Sequence, residues 1–112
     1  MISVKRAREL ALSFDSVEEK PHFERTSFRI GTRIFMTLDE KHNRACLKLT
    51  PEDQDIFSLI DRSVIYPVPN AWGRQGWTYA ELEKIKKDVF KEALHAAYTT
   101  VAHSAALKRK KG

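Results

Sequence analysis

The chain has 112 residues, of which 42% are hydrophobic and 31% charged, the composition of one folded globular domain and not of a disordered segment. Its net charge is +5 and its pI about 9.5, and a single cysteine, Cys46, excludes an internal disulfide and any multi-cysteine zinc site. No apolar run approaches the ~20 residues that span a bilayer. The start, Met1-Ile2-Ser3-Val4-Lys5-Arg6, lacks the apolar stretch of a secretory signal, so the reducing cytoplasm is the expected compartment.

Ser3 is a plausible N-cap, and Val4, Ala7, Leu10, Ala11 and Phe14 repeat at helical spacing, which predicts a first helix over residues 3–14. Lys5, Arg6 and Arg8 fall on its outer side, and Asp15-Ser16 ends it. A first strand follows at 25–30, where Arg25, Ser27 and Arg29 alternate with Thr26, Phe28 and Ile30. A second runs over 34–39. A three-residue loop, Gly31-Thr32-Arg33, would pair Ile30 with Ile34, Phe28 with Met36 and Thr26 with Leu38, giving one clean apolar face. A two-residue loop would instead set Arg29 opposite Ile34 and mix the faces.

After the polar turn 40–43, Arg44 to Leu49 reads as a third strand with Ala45, Leu47 and Leu49 inward. Thr50-Pro51-Glu52-Asp53 is a strong helix start: a capping hydroxyl, proline at the first position and acids at the positive dipole end. It opens a short helix over 51–62. Residues 64–66 form a fourth strand, 70–77 a glycine-bearing loop, and Trp77 and Tyr79 begin a fifth strand by alternation. Ile85, Val89, Ala93, Ala96, Ala97 and Val101 define a long last helix. The expected class is α+β, in the order α-β-β-β-α-β-β-α. It has a mainly antiparallel five-stranded sheet with helices on one face. Residues 1–107 are expected to form the domain, and 108–112 a basic tail. Four of the net positive charges lie in Lys108-Arg109-Lys110-Lys111, so the body of the domain is close to neutral.

Several ordered segments carry a resemblance. They are Ala11-Leu12-Ser13-Phe14 ahead of Val17-Glu18-Glu19, Phe28-Arg29-Ile30, Phe35, and Leu47-Lys48-Leu49-Thr50-Pro51-Glu52. Trp72-Gly73-Arg74-Gln75-Gly76-Trp77-Thr78 and Ala97-Tyr98-Thr99-Thr100-Val101-Ala102 complete the set. In this order and spacing the chain resembles the MmcQ/YjbR-like family of small bacterial proteins. The resemblance implies a CyaY-like (frataxin-like) sandwich, and DNA binding through a double-wing arrangement of hairpins. It implies no catalytic residue set. Many members carry a His-Trp pair before the last strand, where this chain has Gly76-Trp77, so no role for a histidine transfers.

The residues themselves agree with a binding protein more than an enzyme. His22, His42, His95 and His103 lack metal-ligand spacing, and the first helix carries cations where an iron site would need carboxylates, so no metal or cofactor is expected. Cys46 sits between Ala45 and Leu47 with no base in view. The candidate nucleic-acid contacts are Arg25, Arg29 and Arg33 on the first hairpin, Lys48, and Arg74 with Gln75 in the loop. Trp72 and Trp77 either pack under the sheet or present their rings to a ligand. The alternative to DNA is a small-molecule or protein-partner module built on the Trp72–Trp77 loop. A closed apolar pocket there would favour it. A continuous positive face from the first helix across the hairpins would favour nucleic acid.

Overall fold

A computed structural model describes the backbone of residues 1–111 and the side chains of residues 1–104. The elements are α1 (Val4–Leu12), β1 (Val17–His22), β2 (Arg25–Ile30), β3 (Arg33–Asp39), β4 (Arg44–Lys48), α2 (Pro51–Ser58), β5 (Ile65–Pro67), α3 (Ala71–Arg74), β6 (Trp77–Glu81) and α4 (Lys87–Lys111). All strands pair antiparallel in one sheet of order β1-β2-β3-β4-β6-β5. The α+β class holds, but the sheet has six strands where five were expected. The extra strand is β1, Val-Glu-Glu-Lys-Pro-His, whose charges and proline hide the alternation. Such a composition suits a sheet edge, where one side of the strand needs no partner.

The helix caps are those the sequence indicates. Ser3 accepts from the Arg6 amide at 3.0 Å, and Thr50 from the Asp53 amide at 3.1 Å. α2 is shorter than expected and ends at Ser58. α4 continues helically to Lys111. The side chains of the expected basic tail, and Gly112 altogether, lie outside the described residues.

The β2–β3 register combines the two sequence alternatives. Thr26 pairs with Leu38 and Phe28 with Met36, as the three-residue loop requires. Beyond Phe28 the register shifts, so that Arg29 faces Ile34 and Ile30 faces Arg33 across the two-residue turn Gly31-Thr32. The expected Ile30–Ile34 pair is therefore absent. The bulge lets both Phe35 and Met36 be fully buried, which strict alternation forbids. Phe35 packs edge-on against Phe14 and Tyr98, at ring separations of 6.3 and 5.6 Å. Burying a second large ring offsets the ladder irregularity.

The core lies between the sheet and the helices. Phe28, Met36, Leu38, Ala45, Leu47 and Ala80 from the strands meet Phe90, Leu94, Ala97 and Val101 of α4, with Ala7 and Ala11 of α1 beside them. The β5–β6 connection, which contains α3, borders the opposite face of the sheet.

Candidate binding face

Cross-strand pairing sorts this outer face into rows. At one end Asp39, Arg44 and Glu81 stand opposite one another in β3, β4 and β6, and Arg25 of β2 reaches Asp39. Their signs alternate. Arg25 Nε lies 3.8 Å from Asp39 Oδ2, and Arg44 Nη1 lies 4.0 Å from Glu81 Oε2. The guanidinium of Arg44 also sits 4.0 Å over the Tyr79 ring, and the Tyr66 hydroxyl donates to Glu81. His42 closes on Asp39 at 2.7 Å. Burial acts to raise the Asp39 carboxyl, but the His42 hydrogen bonds and the Arg25 charge more than offset it and hold it below its ordinary range. This end of the face is close to neutral.

The middle row is built of small side chains. Ser27, Thr37 and Cys46 align across β2, β3 and β4, all largely buried, and Tyr79 continues the row on β6. Small side chains between larger ones leave a trough of about 440 Å³, half open to solvent. Ile34, Thr37 and Cys46 form its floor, His22 and Arg25 border it on one side, and Trp72, Trp77 and Tyr79 on the other. Val68 and Asn70 complete the wall. Burial pushes the Cys46 thiol up to about 11, so it is not a thiolate at neutral pH.

The far end carries Arg29 on β2 and, beyond the bulge, Lys48 paired with Trp77. Arg29 donates to Ser27 Oγ at 2.8 Å. Lys48 Nζ lies 5.8 Å from the centre of the Trp77 ring and donates to the Gln75 carbonyl, and burial lowers its pKa. The β5–β6 connection leaves the sheet at this same end and contains α3, with Arg74 and Gln75 exposed at its close.

The glycine-bearing loop expected at 70–77 contains the short helix α3 and is braced from several sides. Asn70 Oδ1 accepts from the Trp72 amide at 2.8 Å. A side chain at Gly73 would put Cβ 1.8 Å from the Val68 carbonyl oxygen, and one at Gly76 (φ +104°) the same distance from that of Leu49. From beneath, the buried Gln54 of α2 donates to the Gly73 carbonyl at 2.8 Å and reaches the Trp77 carbonyl and Thr78 Oγ1, each at 3.1 Å. Neither indole packs under the sheet: Trp72 is 59% exposed and Trp77 half-buried.

Of the sequence candidates, Trp72, Trp77 and Arg25 line the trough, and Lys48 lies against Trp77 and the Gln75 carbonyl, whereas Arg29 and Arg74 are not among the lining residues. Arg25 is tied to Asp39. Arg33 shares the register position of Ile30, on the helix side of the hairpin tip, and is exposed. The continuous positive face does not form. α1 packs in the helical layer against β1 and β3, so Lys5 and Arg6 are remote from the trough, and Arg8 is spent on Glu19 at 2.6 Å. Tyr79, Ile34, Thr37 and Cys46 were not among the candidates. Tyr79 is in period-two phase with Trp77 and Cys46 with Lys48, a signal that could have found those two, whereas the bulge puts Ile34 and Thr37 on one face against strict alternation. Gln54 and His22 had no such signal.

Among the described residues no group of three or more His, Cys, Asp or Glu is placed to hold a metal, and no helix is long and apolar enough to cross a membrane. No curated protein matches the chain. Its fold is similar to the crystal structure of Deinococcus radiodurans protein DR2400, described as a DUF419 domain. The TM-score is 0.77 at 20% identity, covering 90% of this chain and 79% of that one. Residues 12–100 match the model of the YjbR family, and the chain belongs to that family.

Proposed function

We propose that the domain binds DNA through the outer face of its sheet and catalyses no reaction. One observation carries the reading: a half-open trough lined by Trp72, Trp77 and Tyr79 together with His22 and Arg25, with Lys48 against the Trp77 ring beside it. Aromatic rings and cations side by side are what bases and phosphates require. The outer face carries Lys20, Arg25, Arg29, Arg44 and Lys48 against Glu18, Asp39 and Glu81, a modest cation excess that fits weak, largely non-specific attraction. The protonated state of Cys46 in the floor argues against a thiolate nucleophile there.

The trough size also falls in the ~300–1,000 Å³ range of small-molecule sites, which keeps a metabolite as the second reading. Fluorescence anisotropy with labelled oligonucleotides separates the two. DNA binding should appear at low salt. Its affinity should fall on a log–log plot with a slope of about −2 to −3, for roughly three phosphate contacts. Alanine at Arg29, Lys48 or Arg74 should each reduce that slope by about one. Absence of binding to both single-stranded and duplex DNA refutes the proposal. A thermal shift with a metabolite that the Trp72→Ala variant loses would favour the second reading.

A further inference from the structure

We infer that the trough seats an unpaired nucleobase, so that the domain takes DNA as a single strand in preference to duplex. This rests on the DNA-binding reading and specifies its ligand. In a duplex the flat faces of the bases are stacked inside, and only their edges and the phosphates are presented. A surface built for duplex needs cations on a projecting element. Here the cations of the first hairpin are dispersed: Arg25 is paired with Asp39, Arg29 is bonded to Ser27, and Arg33 stands on the helix side.

The aromatic groups are arranged differently. Trp72 keeps most of its surface in water although it is one of the largest apolar side chains in the chain. The loop that holds it is fixed on three sides, by the Asn70 cap, by the close approach of Gly73 to Val68 and by Gln54 from below. An exposed indole on a rigid support is pre-organised for stacking, because little ordering entropy remains to be lost on binding. The floor beside it, Thr37 and Cys46, is low enough to admit a flat ring. Asn70, His22 and Arg25 stand at the trough margin with polar atoms suited to base edges. Lys48 beside Trp77 places a cation next to the ring where the strand's phosphate would pass.

The test compares one short oligothymidylate, a blunt duplex of the same length and an abasic oligomer of the same length. Binding is read by anisotropy and by quenching of the intrinsic tryptophan emission. The single strand should bind at least about tenfold tighter than either comparator and quench the emission. Trp72→Ala should weaken single-strand binding roughly five- to 150-fold. Because the ring is exposed, this variant should fold, as urea unfolding would verify. Equal or tighter binding of duplex overturns the inference but leaves DNA binding intact. Equal binding of the abasic oligomer does the same. If none of the three oligomers binds, the inference falls together with the functional proposal.

Discussion

Gln54→Glu exchanges a donor for an acceptor at the point that braces the tryptophan loop. The amide nitrogen of Gln54 faces three oxygens, the carbonyls of Gly73 and Trp77 and Thr78 Oγ1, within 2.8–3.1 Å. The side chain is 7% exposed. Both carbonyls keep one other partner: Gly76 N donates to Gly73 O and Val68 N to Trp77 O, each at 3.0 Å. Loss of the side-chain donor alone, as in Gln54→Leu, should therefore cost only about 1–2 kcal/mol.

An ionised carboxylate among those oxygens costs more, because it is desolvated and repelled. The introduced carboxyl should have its pKa raised in the fold, by about two units or more above the unfolded value near 4.3. At about 1.4 kcal/mol per unit this adds ~3 kcal/mol, for a total of ~4 kcal/mol near neutral pH. The sign of the pH dependence follows from proton counting. Between the unfolded and the raised folded pKa the native state binds more protons than the unfolded state. The variant's stability, relative to the parent, should then fall as pH rises through that window and recover toward the Gln54→Leu value at lower pH. Urea unfolding followed by tryptophan fluorescence near pH 7 and near pH 5 measures both terms. A Gln54→Glu protein as stable as the parent near pH 7, or with a deficit independent of pH, would refute the placement of this amide among three acceptors.

Two further outcomes test other parts of the face. Phe23, in the two-residue turn between β1 and β2, has φ +59° and is 94% exposed, so the ring contributes little burial to offset the left-handed backbone. Phe23→Gly should raise stability by about 0.5–1 kcal/mol, and Phe23→Ala should give no comparable gain. Thermal unfolding of both variants decides this. Cys46, with its thiol pushed up to about 11 and little of its surface exposed, should react with iodoacetamide at least about a hundredfold more slowly than a free thiol near pH 8. The rate should climb as pH approaches that value, and a rate like that of free cysteine would contradict the burial.

Much of the chain is legible because its determinants are local. Ser3, Thr50 and Pro51 announce two helices through the backbone donors they satisfy or lack. Phe28, Leu47 and Ala80 declare their strands by period-two alternation. The candidate site was legible only in part. Arg29, Lys48, Arg74 and the two tryptophans could be singled out as residue types, but which of them meet depends on strand order and register, which set Lys48 beside Trp77. β1 escaped notice because an edge strand satisfies half its backbone with solvent and needs no apolar alternation.

By itself the sequence determined the α+β class, the helix starts, the inward faces of the central strands and the aromatic and basic residues available for binding. These depend on side-chain periodicity and on caps within a few residues of one another. Only the tertiary structure decided which of those residues act together. It paired Arg25 with Asp39 and Arg44 with Glu81, so that two cations of the outer face are neutralised there. It set Ser27, Thr37 and Cys46 side by side to make the trough, and put Gln54 beneath a loop 19 residues along the chain. Cross-strand register and long-range hydrogen bonds join residues remote in sequence, and no local pattern encodes where they meet.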